Sequence, residues 1–108
     1  MEETNMKVIE SVKEYEDTLK ENALVFVDFF ADWCGPCKML APVVEELAAE
    51  TPDVTFVKVN VDDLPEIAQK LGIMSIPALF IFKNGEAAAN TAGFQPKESL
   101  KAVLDSVR

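Results

Sequence analysis

Two cysteines stand three residues apart in Trp33-Cys34-Gly35-Pro36-Cys37-Lys38, and the chain contains no others. Two cysteines placed at random in 108 residues fall at that spacing about 2 percent of the time. Position says more than spacing does. The pair follows an apolar run and stands where a helix begins, with Pro36 tolerated in the first helical turn. There, free backbone N–H groups and the helix dipole favour a thiolate, and Lys38 adds a nearby positive charge. A thiolate, not a thiol, attacks a disulfide. The chemistry this arrangement predicts is attack by Cys34, at the exposed end, to form a mixed disulfide. Cys37, one helical turn further in, then attacks Cys34 and releases the reduced product. Gly35 and Pro36 keep the turn compact and limit how far the sulfurs can separate.

Two blander uses of the pair stand beside this one. A structural disulfide is possible, but a loop this short constrains the unfolded chain little. A zinc or iron–sulfur site needs four ligands, and the chain offers no further cysteine and no histidine. Only a site shared between chains would serve, so no metal and no cofactor is expected.

Composition bounds the rest. A length of 108 residues suits one domain spanning 1–108, with 49% apolar residues for a core and 27% charged residues for a surface. The net charge of −9 disfavours nucleic acid and anionic membrane surfaces as partners. The absence of histidine excludes any catalysis that needs an imidazole base. Met1-Glu2-Glu3-Thr4-Asn5 is acidic where a secretory leader would be basic and then apolar. The longest apolar stretch, Ala23 to Ala31, contains Asp28 and falls far short of the roughly 20 residues of a membrane helix. A cytoplasmic location is therefore expected.

The elements that must position the cysteines alternate along the chain. A strand around Met6 to Ile9 leads to Ser11-Val12-Lys13-Glu14, a capping-box pattern that starts a helix with Val12, Tyr15 and Leu19 on one face. Ala23 to Ala31 is too uniformly apolar for a half-exposed strand and predicts a central one covered on both faces, which favours a parallel arrangement. Leu40, Val43, Val44, Leu47 and Ala48 form an amphipathic stripe, interrupted by Pro42, which should kink that helix. Val54 to Val61 predicts a strand, and Pro65 to Leu71 a short helix closed by Gly72. Ala78 to Phe82 is a further buried strand, and Asn84-Gly85 marks a tight hairpin to an antiparallel partner. A last helix runs from Pro96, burying Leu100, Val103, Leu104 and Val107. The order βαβαβαββα predicts an α/β fold, one mixed sheet with helices on both faces.

At the cysteine motif the sequence resembles the thioredoxin family, and the resemblance runs over nearly the whole chain. It is carried by Val27-Asp28-Phe29-Phe30-Ala31-Asp32-Trp33-Cys34-Gly35-Pro36-Cys37-Lys38, by Ser75-Ile76-Pro77-Ala78 and by Phe82-Lys83-Asn84-Gly85. The resemblance implies the thioredoxin fold and reduction of disulfides in client proteins by a monomer, with electrons supplied by a thioredoxin reductase. Asp28 interrupts an apolar strand, so its carboxyl is partly buried and its pKa raised. It could be a strand-edge residue bonded to a turn. The resemblance favours a proton acceptor for Cys37, with Lys58 passing near the carboxylate and tuning it. It also implies a cis peptide bond at Pro77 facing the cysteines, which leaves the preceding backbone free to pair with an extended client segment. Trp33, Gly35, Pro36, Val61, Met74, Ile76, Ala92 and Gly93 would then border an apolar docking patch, with Lys38 at its rim. Val61, Met74 and Ala92 could equally be ordinary surface or core.

Two residues depart from the family pattern. Phe30 stands where many members have a second tryptophan, and Ala78 follows Pro77 where threonine is frequent. Neither touches the sulfur chemistry. A disulfide oxidase or isomerase on the same fold is a rival reading among enzymes. From a different class comes a redox-independent binding subunit or holdase, since a fold alone does not decide function.

Overall fold

The computed structural model describes residues 6–108; Met1–Asn5, whose acidic composition argued against a leader, lie outside the described residues. The elements are β1 (Lys7–Val8), α1 (Val12–Glu21), β2 (Leu24–Phe30), α2 (Gly35–Glu50), β3 (Thr55–Asn60), α3 (Pro65–Leu71), β4 (Ala78–Lys83), β5 (Glu86–Ala92) and α4 (Lys97–Val107). This is the expected order. The local signals explain the boundaries. The Ser11 hydroxyl accepts the Glu14 N–H at 3.0 Å, and the Glu14 carboxylate reaches back to the Glu10 N–H at 2.7 Å. Gly72 ends α3 in the left-handed region, at φ 72°. Asn84 and Gly85 both take positive φ, as a two-residue hairpin turn requires.

Five strands form one mixed sheet in the order β1-β3-β2-β4-β5. Strand β2 lies at its centre, parallel to β3 and antiparallel to β4. The apolar run of β2 favoured parallel neighbours, and only one of the two is parallel. What such a run reports is burial of both faces, which either orientation supplies.

Successive side chains of β2 alternate between two cores. Phe26 packs with Leu40, Val44 and Leu47 of α2 and Leu100 and Leu104 of α4. Val25, Val27 and Phe29 pack with Ile67 of α3, against which Val12, Tyr15 and Leu19 of α1 are laid. Asp28 therefore shares the face of Phe26 and points toward α2. Helix α2 runs from Gly35 to Glu50 through Pro42. The ring removes one backbone donor, so the expected interruption costs a hydrogen bond without dividing the helix. Among the described residues, no helix is long and apolar enough to cross a membrane.

Candidate active site

Beyond β2 the chain turns through Ala31, Asp32 and Trp33 into Cys34, whose N–H donates to the Ala31 carbonyl at 3.2 Å. Cys34 is the N-cap of α2, with Pro36 in the first turn behind it. Its Sγ accepts the Cys37 backbone N–H at 3.1 Å. A sulfur thus occupies the place that a Ser or Asp oxygen usually takes at a helix start. Cys34 and Cys37 are joined as a disulfide, with Cα atoms 5.3 Å apart.

The expected difference in exposure between the two cysteines is absent from this disulfide form. Cys34 is 3% exposed and Cys37 is 6% exposed. Both are packed with Ala31 and against Phe30, Val61 and Ile76, while Trp33, Gly35 and Pro36 around them are exposed. The sulfurs differ in their partners instead. Cys34 faces the N–H groups that open α2, whereas Cys37 borders a cavity of about 190 Å³ that also reaches Asp28, Lys38 and Lys58. Lys38 lines this cavity and is not among the residues that line the docking groove.

Asp28 is buried, and its Oδ1 has no hydrogen-bond partner among the described residues. Burial pushes its pKa up from the usual 3.8 to about 6; the Lys58 charge pulls the other way and Glu45 adds to the rise. Lys58 stands opposite Asp28 in the parallel ladder, yet its ammonium lies over the Phe30 ring, 4.7 Å from the centroid. Among the described residues no ion pair within 4.0 Å joins it to Asp28.

The peptide bond between Ile76 and Pro77 is cis. Pro77 is fully buried, and its carbonyl accepts the Gly93 N–H at 2.8 Å. Ile76 packs against the cysteine pair. Among the described residues no backbone hydrogen bond engages Ser75 or Ile76, which leaves the backbone of this bend before β4 unpaired beside the disulfide. A groove of about 420 Å³ opens alongside, and it brings together Trp33, Val61, Met74 and Ile76 from the expected patch with Ala68, Ile73 and Ser75. Met74 is 95% exposed and Trp33 70% exposed, so neither is core. Gly35, Pro36, Ala92 and Gly93 are not among the groove's lining residues. Ala92 lies exposed on β5 opposite Ala78.

Sequence reasoning missed two residues here. The Trp33 indole N–H donates to Asp62 Oδ2 at 2.8 Å, and the Asp62 N–H donates to Asn60 Oδ1 at 2.9 Å. Asn60 is itself buried, and its carbonyl accepts the N–H groups of Asp63 and Leu64. The segment Asn60-Val61-Asp62-Asp63 carries a turn signature that was available in the sequence. Its pairing with a tryptophan 29 residues away was not. A carboxylate consequently stands beside Trp33, at the border of the patch expected to be apolar. Among the described residues, no group of three or more His, Cys, Asp or Glu side chains could hold a metal ion.

The family model described as Thioredoxin matches residues 6–106. A thioredoxin of Staphylococcus aureus is 50% identical over 90 residues, covering 82% of this chain and 86% of the relative. Among solved structures, a thioredoxin of Plasmodium falciparum superposes with a TM-score of 0.89 at 36% identity, covering 95% of this chain and 100% of that one. The thioredoxin NaTrxh of Nicotiana alata gives 0.90 at 33% identity, covering 100% and 96%. With a close-set cysteine pair at the head of α2 and this likeness along nearly its whole length, the chain belongs to the thioredoxin family and is a dithiol–disulfide oxidoreductase.

Proposed function

We propose that this chain reduces disulfides in client proteins as a single-domain monomer of the cytoplasm, and that a thioredoxin reductase returns it to the dithiol. The observation that carries the reading is the asymmetry of the two sulfurs: Cys34 faces the N–H groups of a helix start, and Cys37 shares a cavity with a buried carboxyl. In the dithiol form, the N-terminal dipole and N–H groups of α2 favour the Cys34 thiolate. That thiolate attacks one sulfur of the client disulfide; the Cys34–client bond forms and the client's other sulfur leaves as a thiolate. The Cys37 thiol then gives its proton to the Asp28 carboxylate and attacks Cys34 Sγ. The Cys34–Cys37 bond forms and the second client sulfur is released. Two electrons pass to the client, and the reductase resets the pair by the reverse exchange.

The groove holding Trp33, Val61, Met74 and Ile76 supports an apolar, extended client segment as the substrate, with unpaired backbone at Ser75 and Ile76 available for strand addition. Asp28 with a pKa of about 6 is ionised at neutral pH yet more basic than a free carboxylate, which suits a proton acceptor. The test is reduction of insulin disulfides with a thioredoxin reductase. Cys34→Ser should abolish turnover, and Asp28→Asn should slow it about tenfold or more near pH 7. Retained activity in a variant lacking both cysteines would support the holdase reading instead, and a strongly oxidising reduction potential would support the oxidase.

A further inference from the structure

The Lys58 ammonium has two possible neighbours on its face of the sheet. Asp28 lies directly opposite in the ladder, and Phe30 lies on the diagonal, two residues along β2 on the same face as Asp28. The ammonium is over the aromatic ring, at 4.7 Å from its centroid. A cation over a ring face is attracted by the ring quadrupole while keeping part of its hydration. The same cavity wall then carries Phe30, Lys58, Asp28 and Cys37. We propose that Phe30 is a positioning residue for the resolving step: its ring holds the Lys58 ammonium at the mouth of the cavity shared by Asp28 and Cys37, and so sets the acidic limit of client reduction.

The other charges around Asp28 do not substitute for this one. From α2 come Glu45, which opposes ionisation, and Lys38, which lines the cavity. From the β2–α2 turn comes Asp32, a further negative group on the wall. From β4 the ladder partner of Asp28 is Leu79, which carries no charge. Lys58 is the charge that favours the Asp28 carboxylate, and its place depends on an aromatic ring that packs beside the cysteine pair and carries no titratable group of its own. Freed from the ring, a strongly hydrated ammonium on a flexible stem moves out to water. Asp28 then holds its proton to higher pH, and the acidic limb of the rate profile moves in the alkaline direction.

The inference rests on the proposed role of Asp28, so the experiment reads the carboxyl and the rate separately. Phe30→Leu, Phe30→Tyr, Lys58→Gln and the Phe30→Leu/Lys58→Gln double variant are compared by carbon NMR titration of Asp28 and by insulin reduction between pH 5 and 8. Phe30→Leu should raise the Asp28 protonation constant and lower the rate at pH 6 by roughly threefold, the scale of one charge acting across a wet cavity. Phe30→Tyr, which keeps a ring face, should behave as the parent. Adding Phe30→Leu to Lys58→Gln should produce no further change, because the charge being positioned is gone. An Asp28 titration unmoved by Phe30→Leu, or moved equally with and without Lys58, overturns the proposal. A titration that moves without the rate following upholds the placement of Lys58 and overturns the proton-acceptor role of Asp28.

Discussion

Replacing Asp28 by asparagine should stabilise the disulfide form at pH 8 and lose that gain on acidification. The carboxyl is buried, lacks a partner for Oδ1, and titrates near 6 in the folded state against a usual 3.8. A folded-state pKa raised above the unfolded one means that the fold holds this proton more tightly than the unfolded chain does. Stability from that proton is complete below pH 3.8 and is lost as pH rises through about 6. Above that, both states are ionised and the fold bears the whole burial cost. At about 1.36 kcal/mol per tenfold step, the gap between 3.8 and about 6 amounts to roughly 3 kcal/mol. The same linkage leaves about 1.5 kcal/mol at pH 5 and under about 1 kcal/mol at pH 4. Asparagine keeps the shape and never ionises. Urea unfolding followed by Trp33 fluorescence at pH 8, 5 and 4 measures the difference, with a midpoint about 1–2 M higher for the variant at pH 8. An Asn variant that is less stable at pH 8, or a difference constant across the three pH values, would refute the reasoning.

Asp62→Ala removes the acceptor of the Trp33 indole N–H, and should raise KM for client about five- to tenfold while leaving kcat near the parent value, as steady-state kinetics will read. Gly72→Ala places a Cβ at φ 72° where space is open, so strain alone acts; thermal unfolding should show a loss of about 1 kcal/mol. Cys37→Ser should accumulate a covalent client adduct through Cys34, visible on non-reducing gels and cleared by dithiothreitol; no adduct would count against Cys34 as the attacking sulfur.

Which parts were legible in the sequence follows from how local each signal is. The capping pattern at Ser11, the Gly72 stop and the Asn84-Gly85 turn are decided by neighbours within four residues, and each holds in the fold. The apolar run of β2 announced burial of both faces but could not say which neighbour is antiparallel, because burial is indifferent to strand direction. Asp28 was visible as a polar break in that run, and period-two alternation puts it on the face of Phe26, which the structure covers with α2. The Trp33–Asp62 bond and the stacking of Lys58 on Phe30 join residues 29 and 28 apart in sequence. Both depend on the register of β2 against β3, which no local pattern encodes. The exposure expected at Cys34 failed for a related reason: helix position predicts where a backbone points, whereas burial depends on what other segments pack over it, here Val61 and Ile76.

The missing histidine ties these observations together. A thiol that must lose its proton near pH 7 needs an acceptor, and Asp28, on the wall of the Cys37 cavity, is a carboxyl whose affinity for protons is raised by burial. An exposed carboxylate is too weak a base for that task, and burial corrects this by disfavouring the charged form. The free energy that makes the base stronger is the same free energy that the fold loses above pH 6, so basicity and stability are drawn from one quantity and move in opposite directions. A lysine paired directly with Asp28 would recover stability and weaken the base. A lysine removed to solvent would strengthen the base and raise the pH below which the carboxyl is protonated and useless as an acceptor. Holding the Lys58 ammonium on the Phe30 ring, opposite Asp28 in the ladder but outside ion-pair distance, is an intermediate solution. On the roles proposed above for Asp28 and Phe30, the position two residues after the acid in β2 is a site where a change of side chain adjusts the pH range of reduction.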